Sequence, residues 1–408
     1  MSASTPHPGS MDVSALRRVT TVLCFTEITS WGILYYAYPV LAPTISAQTG
    51  WSIPTLMAAF TLSQVVAAVL SVPVGRRIDH RGPAGVMTLG SMAASASVVG
   101  IAIAPTLPWF FTAWTGAGVA MSMILYPPAF AALSHWGGDH RVTALTWLTL
   151  VGGLASTVFA PLTAVLVSHL GWRDTYLVLA IVLATTIPAH LWGLRGPWQP
   201  RLGSTDTTAH RSSTVWRTRP FIVLAVTMSA VAFCIYAVVI NLVPLLIGRG
   251  FSAETAAAAL GVGGIGQVSG RLAYRPLSRF LTTRASTSVI FGAVAATTLA
   301  LALVPGPVAV VFCLSFFFGM ARGIYTLVQA TAIADRWGTA RFGSLNGMLT
   351  SPVLAASALA PWAGALLAQT LGSQTAAFVS LGLLAAFAAT LVPATLPRAT
   401  HGPVDPPR

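Results

Sequence analysis

The sequence predicts an all-α membrane protein of twelve transmembrane helices in two pseudo-symmetric six-helix halves, with both termini cytoplasmic. Three observations carry this. The 408 residues are 55% hydrophobic and only 8% charged, far beyond what a soluble core of this length needs, so lipid is the solvent for most of the chain. The arginines gather in alternate connections between apolar runs. The chain also resembles itself at an offset of 200 residues.

Apolar runs bounded by charge, glycine or proline fall at 19–46, 52–74, 83–104, 107–133, 142–168 and 173–194, then at 220–247, 252–270, 285–305, 307–334, 342–369 and 373–396. Each must be helical, because in hydrocarbon the backbone's polar groups have to be satisfied within the segment. With residues 1–18 as a cytoplasmic tail, 19 of the 22 basic residues, all arginine, fall on the tail's side of the membrane. Only Arg173 and Arg249 fall on the other side, and Arg322 lies within a span. That asymmetry places both termini in the cytoplasm and accounts for the net charge of +13 without a nucleic-acid partner. No cleavable signal peptide is read in the first 16 residues, so the first span is its own insertion signal.

The basic, Ser/Thr/Pro-rich stretch 195–219 divides the helices six and six as a flexible linker, between an N-terminal half at 19–194 and a C-terminal half at 220–396. Residues 397–408 form a cytoplasmic tail. At the offset of 200, Gly50 and Ser52 match Gly250 and Ser252, Arg141 matches Arg341, and Ala160-Pro161 match Ala360-Pro361. Parallel duplication of this kind is characteristic of some secondary transporters. Cys24, Cys234 and Cys313 stand alone in apolar runs, which points to packing rather than redox or metal chemistry.

Between the second and third spans stands GRRIDHRG, with Gly75, Asp79 and Gly82 at the spacing G-x-x-x-D-x-x-G. With LGWRDTYLVLA at the start of span six, it resembles the signature of the major facilitator superfamily of secondary transporters. His80 replaces the usual basic residue, and Tyr274 stands in the second half where an aspartate would repeat. The resemblance implies that fold, a helix bundle acting as a monomer, and a gate latch at Asp79, for which Arg141 and the region of Gly343 and Ser344 are candidate partners. A solvated topology charge is the alternative for Asp79. Thr112 and Thr115 occupy the places of a family arginine and glutamine in span four, and span five lacks the motif of the drug-proton antiporters.

Only Glu27 and Arg322 are charges well inside spans, where ionised groups cost about 2.5 kcal/mol or more and usually face a protein-lined or wet cavity. Helical spacing groups Glu27 with Ser30, Trp31, Leu34, Tyr35 and Tyr38, and Arg322 with Tyr325, Thr326 and Gln329. Ser122 and Tyr126 on span four, and Tyr236 and Asn241 on span seven, complete the candidate substrate site. Gln64, Gln267, Trp114 and Trp147 rank below them, and His190 reads as interfacial. Arg322 suits an oxyanion, since guanidinium stays ionised and binds carboxylates in a planar fork. Glu27 suits proton uptake and release. A structural ion pair between the two is the alternative.

E-x-x-S-W-G, from Glu27 to Gly32, loosely resembles the start of monocarboxylate-transporter-like and oxalate:formate-antiporter-like members of the superfamily. The expectation is therefore a proton-coupled secondary transporter of a small organic anion, working by alternating access in the plasma membrane of a prokaryote. A proton-driven exporter of amphipathic drugs or secondary metabolites is the rival. No nucleophile-base set, metal cluster or phosphate loop is read, so neither enzymatic activity nor a cofactor is expected. The glycines at 261, 263, 264 and 266 read as close helix packing.

Overall fold

The computed structural model describes residues 11–196, Trp198, 215–278, 281–338 and 342–396. The described residues contain helices and no strand. The first half runs α1 (Val13–Trp31), a π-helical turn (Gly32–Tyr36), α2 (Ala37–Thr49), α3 (Ile53–Arg81), α4 (Pro83–Ala102), α5 (Leu107–Ile124), α6 (Tyr126–Trp136), α7 (Arg141–Gly153), α8 (Ala155–Ala184) and α9 (Thr186–Gly193). The second runs α10 (Arg219–Gly248), α11 (Ala253–Ser278), α12 (Thr283–Leu303), α13 (Val308–Thr331), the short α14 (Ala334–Trp337), α15 (Phe342–Thr370) and α16 (Gln374–Thr390).

Eight helical stretches among the described residues are long and apolar enough to cross a membrane. One of them, Gly138–Gly193, contains two of the predicted spans, parted at Gly171. There φ is +75°, a left-handed value that glycine tolerates and that turns the chain back. The remaining predicted spans fall on α1 to α2, on the glycine-rich α11, and on α16, which is 17 residues long. Span four is divided at Leu125, because Pro127 and Pro128 lack the N–H groups that α5 would need to continue; the helix restarts at Tyr126.

The duplication seen in the sequence recurs in the backbone. Gly50 and Gly250 both take positive φ, +74° and +88°. After each, a serine caps the next helix: Thr55 N–H donates to Ser52 Oγ at 3.3 Å, and Thr255 N–H to Ser252 Oγ at 3.2 Å. The two arginines predicted on the far side have matching duties. Arg173 donates to the carbonyls of Ala102 (2.7 Å) and Ala104 (3.0 Å) at the end of α4. Arg249 likewise holds the end of α12 through the carbonyls of Leu301 (2.7 Å), Val304 (3.3 Å) and Ala302.

The start of α1 lies beside the ends of α6 and α9, and this end of the bundle is called its terminal face. Met11 N–H donates to the Trp136 carbonyl at 3.1 Å, and Arg18 Nη2 to that of Arg195 at 3.5 Å. Arg336 on α14 is buried against Thr287 (3.1 Å) and Thr395, and this burial pulls its guanidinium down to about 10. Toward the opposite face the bundle is filled by Tyr38, Phe60, Phe110 and Trp114 in edge-on and stacked contact. The halves meet there through Trp362 N–H to Thr61 Oγ1 (3.3 Å) and Thr157 Oγ1 to the Gly261 carbonyl (2.8 Å).

α11 and α13 are pressed together along a glycine seam. A Cβ placed on Gly266 or Gly270 would collide with the backbone of Phe316 or Met320, and one on Gly319 or Gly323 with that of Gly263 or Gln267. The predicted close packing is therefore present, and it sets Gln267 directly beside Arg322.

Candidate functional site

Between the halves, on the terminal side of the aromatic filling, lies a cavity of about 350 Å³. Trp31 and Tyr36 of the first span form one wall, with Tyr126 and Phe130 of α6 and Thr149, Gly152 and Gly153 of α7. Tyr236 of α10, Gln267 and Arg271 of α11, and Arg322, Thr326, Leu327 and Ala330 of α13 form the other. Among the described residues, both charged members of this lining are arginines.

Arg322 is 6% exposed and reaches the cavity with neutral partners only. Its Nη2 donates to Tyr36 Oη at 3.3 Å and to Gln267 Oε1, while Nε has no partner. Its guanidinium carbon stands 5.9 Å from the centre of the Tyr36 ring. A buried cation with unsatisfied donors and no neutralising acid is set to take an anion. Arg271 donates from Nη1 to the carbonyl of Thr149, bridging the halves, and lies beside the Tyr126 hydroxyl.

Glu27 is fully buried, and neither carboxylate oxygen has a hydrogen-bond partner. The ion pair with Arg322 is absent from this conformation. Trp31, one helical turn on, has an equally unpartnered Nε1 facing the carboxylate without a well-formed hydrogen bond. The Trp31 and Tyr126 rings, 5.2 Å apart, belong to the cavity wall, whereas Glu27 does not line the cavity.

Of the sequence-predicted residues, Trp31, Tyr126, Tyr236 and Arg322 come together in the cavity lining. Tyr35 is buried in contact with Trp31, Tyr36 and Phe60, and Tyr38 lies deeper, between Phe60 and Trp114 with its hydroxyl unpartnered. Ser122 donates to the Val119 carbonyl at 2.6 Å, within its own helix. Tyr325 turns away and donates to the Met228 carbonyl at 2.7 Å. Asn241 faces α15, where Gly364 leaves room for it. Gln329, half-buried, is not among the lining residues.

Helical spacing from Glu27 misses Tyr36 because the π turn from Gly32 to Tyr36 adds a residue to one turn, which rotates everything beyond it relative to a 3.6-residue helix. A stripe drawn from Glu27 therefore points to Tyr35 and Tyr38 rather than to Tyr36. Gly32 was the available signal: Phe159 packs where its side chain would be. Arg271, which the charge asymmetry explains by topology alone, stands four residues from Gln267 on one helical face.

The lower-ranked candidates separate as well. Gln267 is in the cavity, Gln64 meets Met121 Sδ at 3.4 Å, and Trp147 is exposed on the outside of the bundle. His190 is buried rather than interfacial, with Nδ1 2.8 Å from Ser91 Oγ.

At the terminal face Asp79 and Arg141 are both exposed, and among the described residues Asp79 has no ion-pair partner. Its carbonyl accepts from Trp198 Nε1 at 3.0 Å. Gly82 takes φ +78° against the Trp198 ring, while Gly75 has open space around it. Of the other proposed latch partners, Gly343 has no side chain to offer and the side chain of Ser344 lies outside the described residues, as does Arg341.

The family model of the Major Facilitator Superfamily matches residues 23–351. The chain belongs to that superfamily. Among curated relatives of this superfamily member, the oxalate:formate antiporter of Oxalobacter formigenes is 26% identical over 89% of this chain and 87% of its own length. Human monocarboxylate transporter 11 is 25% identical over 94% and 83%. An uncharacterized 38 kDa protein of Thermoproteus tenax is 30% identical, but the match spans only 42% of this chain and 43% of that protein. A solved bacterial homolog of the human lysosomal transporter Spinster, inward-facing and unoccupied, shares the fold at TM-score 0.71 and 16% identity, over 94% and 96% of the two chains. The protein is thus a multi-pass membrane transporter of small molecules by family.

Proposed function

We propose that this superfamily member is a proton-coupled transporter of a small organic anion, such as a carboxylate, with the binding site in the cavity around Arg322. The observation that carries the proposal is electrostatic: among the described residues Arg322 and Arg271 line the cavity, and no carboxylate does. The relatives named for carboxylates and for oxalate and formate support the same class.

In this reading twelve helices span the membrane as halves 19–194 and 220–396, joined by the linker 195–219, with both termini cytoplasmic and the protein a monomer in a prokaryotic plasma membrane. The cavity lies on the terminal side of the packed aromatics, which supports a state open to the cytoplasm. Asp79, with Gly75, Gly82 and Arg141, closes that side in the opposite state, consistent with an exposed and unlatched Asp79 here. Glu27 carries the proton. A carboxylate buried without any partner is costly as an anion, so proton binding and movement of the Trp31–Tyr126 wall are linked.

The aromatic wall of Trp31, Tyr36, Tyr126, Phe130 and Tyr236 supports the rival, an exporter of amphipathic solutes. Proteoliposomes loaded with a labelled carboxylate separate the two. Loss of carboxylate counterflow in Arg322→Ala is the expected result; retained efflux of an amphipathic cation, with no carboxylate flux in the native protein, overturns the proposal.

A further inference from the structure

A second and larger space, of about 590 Å³, lies between α1 and α7 near the terminal face and plays no part in the site above. Its floor is mostly apolar, with Leu16, Ala144, Trp147 and Val151, and it carries Arg17 and His140 among its lining. Among the described residues, both charged or titratable groups that line it, apart from the Cys24 thiol, are thus basic nitrogen groups.

Its direction follows from helix geometry. At about 100° per residue, Trp147 and Val151 of α7 stand roughly opposite Thr149 and Gly153, which line the central cavity. The groove therefore opens outward. Trp147 is 58% exposed there, and Phe25, one residue past Cys24 on α1, is 44% exposed. Exposed aromatic surface on the outside of a membrane-embedded bundle faces lipid, with Trp suited to the headgroup level. Arg17 has no hydrogen-bond or ion-pair partner among the described residues, so its charge is available.

We propose that this groove is a binding site for an anionic phospholipid of the leaflet on the terminal side, with its phosphate against Arg17 and His140 and an acyl chain running over Leu16, Ala144, Trp147 and Val151. Charge at one end and apolar surface along the remainder match such a lipid better than they match a zwitterionic one. The site is independent of the transport proposal, since it needs only that the bundle sits in a membrane.

Brominated-chain lipids test it through Trp147. The full chain is reconstituted into phosphatidylcholine bilayers with phosphatidylglycerol as a minor component, bromine being carried on one lipid or the other. The signal of Trp147 is isolated as the difference from Trp147→Phe. Brominated phosphatidylglycerol is expected to quench Trp147 well beyond its share of the bilayer. In Arg17→Ala/His140→Ala the apparent affinity falls roughly tenfold, and Arg17→Lys/His140→Arg restores it. Thr143→Leu, which fills part of the groove without adding a fluorophore and leaves the charges in place, weakens the preference, and detergent melting curves verify that each variant is folded. Equal quenching by the two lipids, or full preference retained without Arg17 and His140, overturns the proposal. So does displacement of the lipid by a soluble carboxylate, which would make the groove a solute route.

Discussion

Replacing Arg322 by alanine removes the cation on which the anion proposal rests. In the structure Nη2 is engaged by Tyr36 and Gln267, while Nε is unpartnered, so donors remain for a carboxylate in a buried setting. Charge-assisted hydrogen bonds contribute about 1.5–3 kcal/mol each, and two made by one guanidinium do not add fully; about 3 kcal/mol, or ~100-fold in half-saturating concentration, is the expected loss. Arg322→Lys keeps the charge and loses the fork, and should fall between, at roughly tenfold. The assay is concentration-dependent counterflow of a labelled carboxylate in proteoliposomes, with the amount of folded protein measured alongside. A change below about threefold in both variants would refute the assignment of Arg322 as the anion anchor.

Four further outcomes follow from named contacts. Glu27→Gln should abolish accumulation driven by a pH gradient and flatten the pH profile while leaving counterflow intact; an unchanged profile removes Glu27 from proton coupling. Tyr36→Phe deletes one acceptor of Arg322 and should weaken carboxylate affinity about fivefold, by ~1 kcal/mol, whereas Tyr38→Phe, buried in the aromatic filling, should leave it unaltered. Gly323→Ala drives a methyl group into the Gln267 backbone and should destabilise by about 1–3 kcal/mol, read as an earlier detergent-melting midpoint, while Gly85→Ala, with open space around it, should melt as the native protein does. Arg249→Ala strips donors from three carbonyls at the end of α12, and should also melt earlier, with little change in substrate affinity at the distant cavity.

What was legible in the sequence is what depends on composition and spacing. Long apolar runs, the repeat of Gly50 and Ser52 at Gly250 and Ser252, and the glycine-rich face of α11 all recur in the structure, where the two serines prove to be matching helix caps. Burial of Glu27 and Arg322 was legible too, because ionised groups within apolar runs seek the bundle interior. Facing was harder. A stripe presumes constant pitch, and the π turn at Gly32–Tyr36 breaks that presumption in the helix that matters most. Tyr325 and Asn241 share a span with cavity residues but answer to nearer partners, the Met228 carbonyl and the α15 packing surface. Arg271 shows the converse: an arginine that balances topology also lines the cavity, since helix ends at a cavity mouth serve both purposes.

The most direct test of the central claim is accumulation of a labelled small carboxylate by proteoliposomes holding the purified native protein, under an imposed pH gradient. The account predicts uptake above equilibrium that collapses when a protonophore dissipates the gradient, that is lost in Glu27→Gln, and that in Arg322→Ala needs ~100-fold more substrate. Absence of carboxylate uptake across a panel, with pH-driven movement of an amphipathic cation in its place, would contradict it.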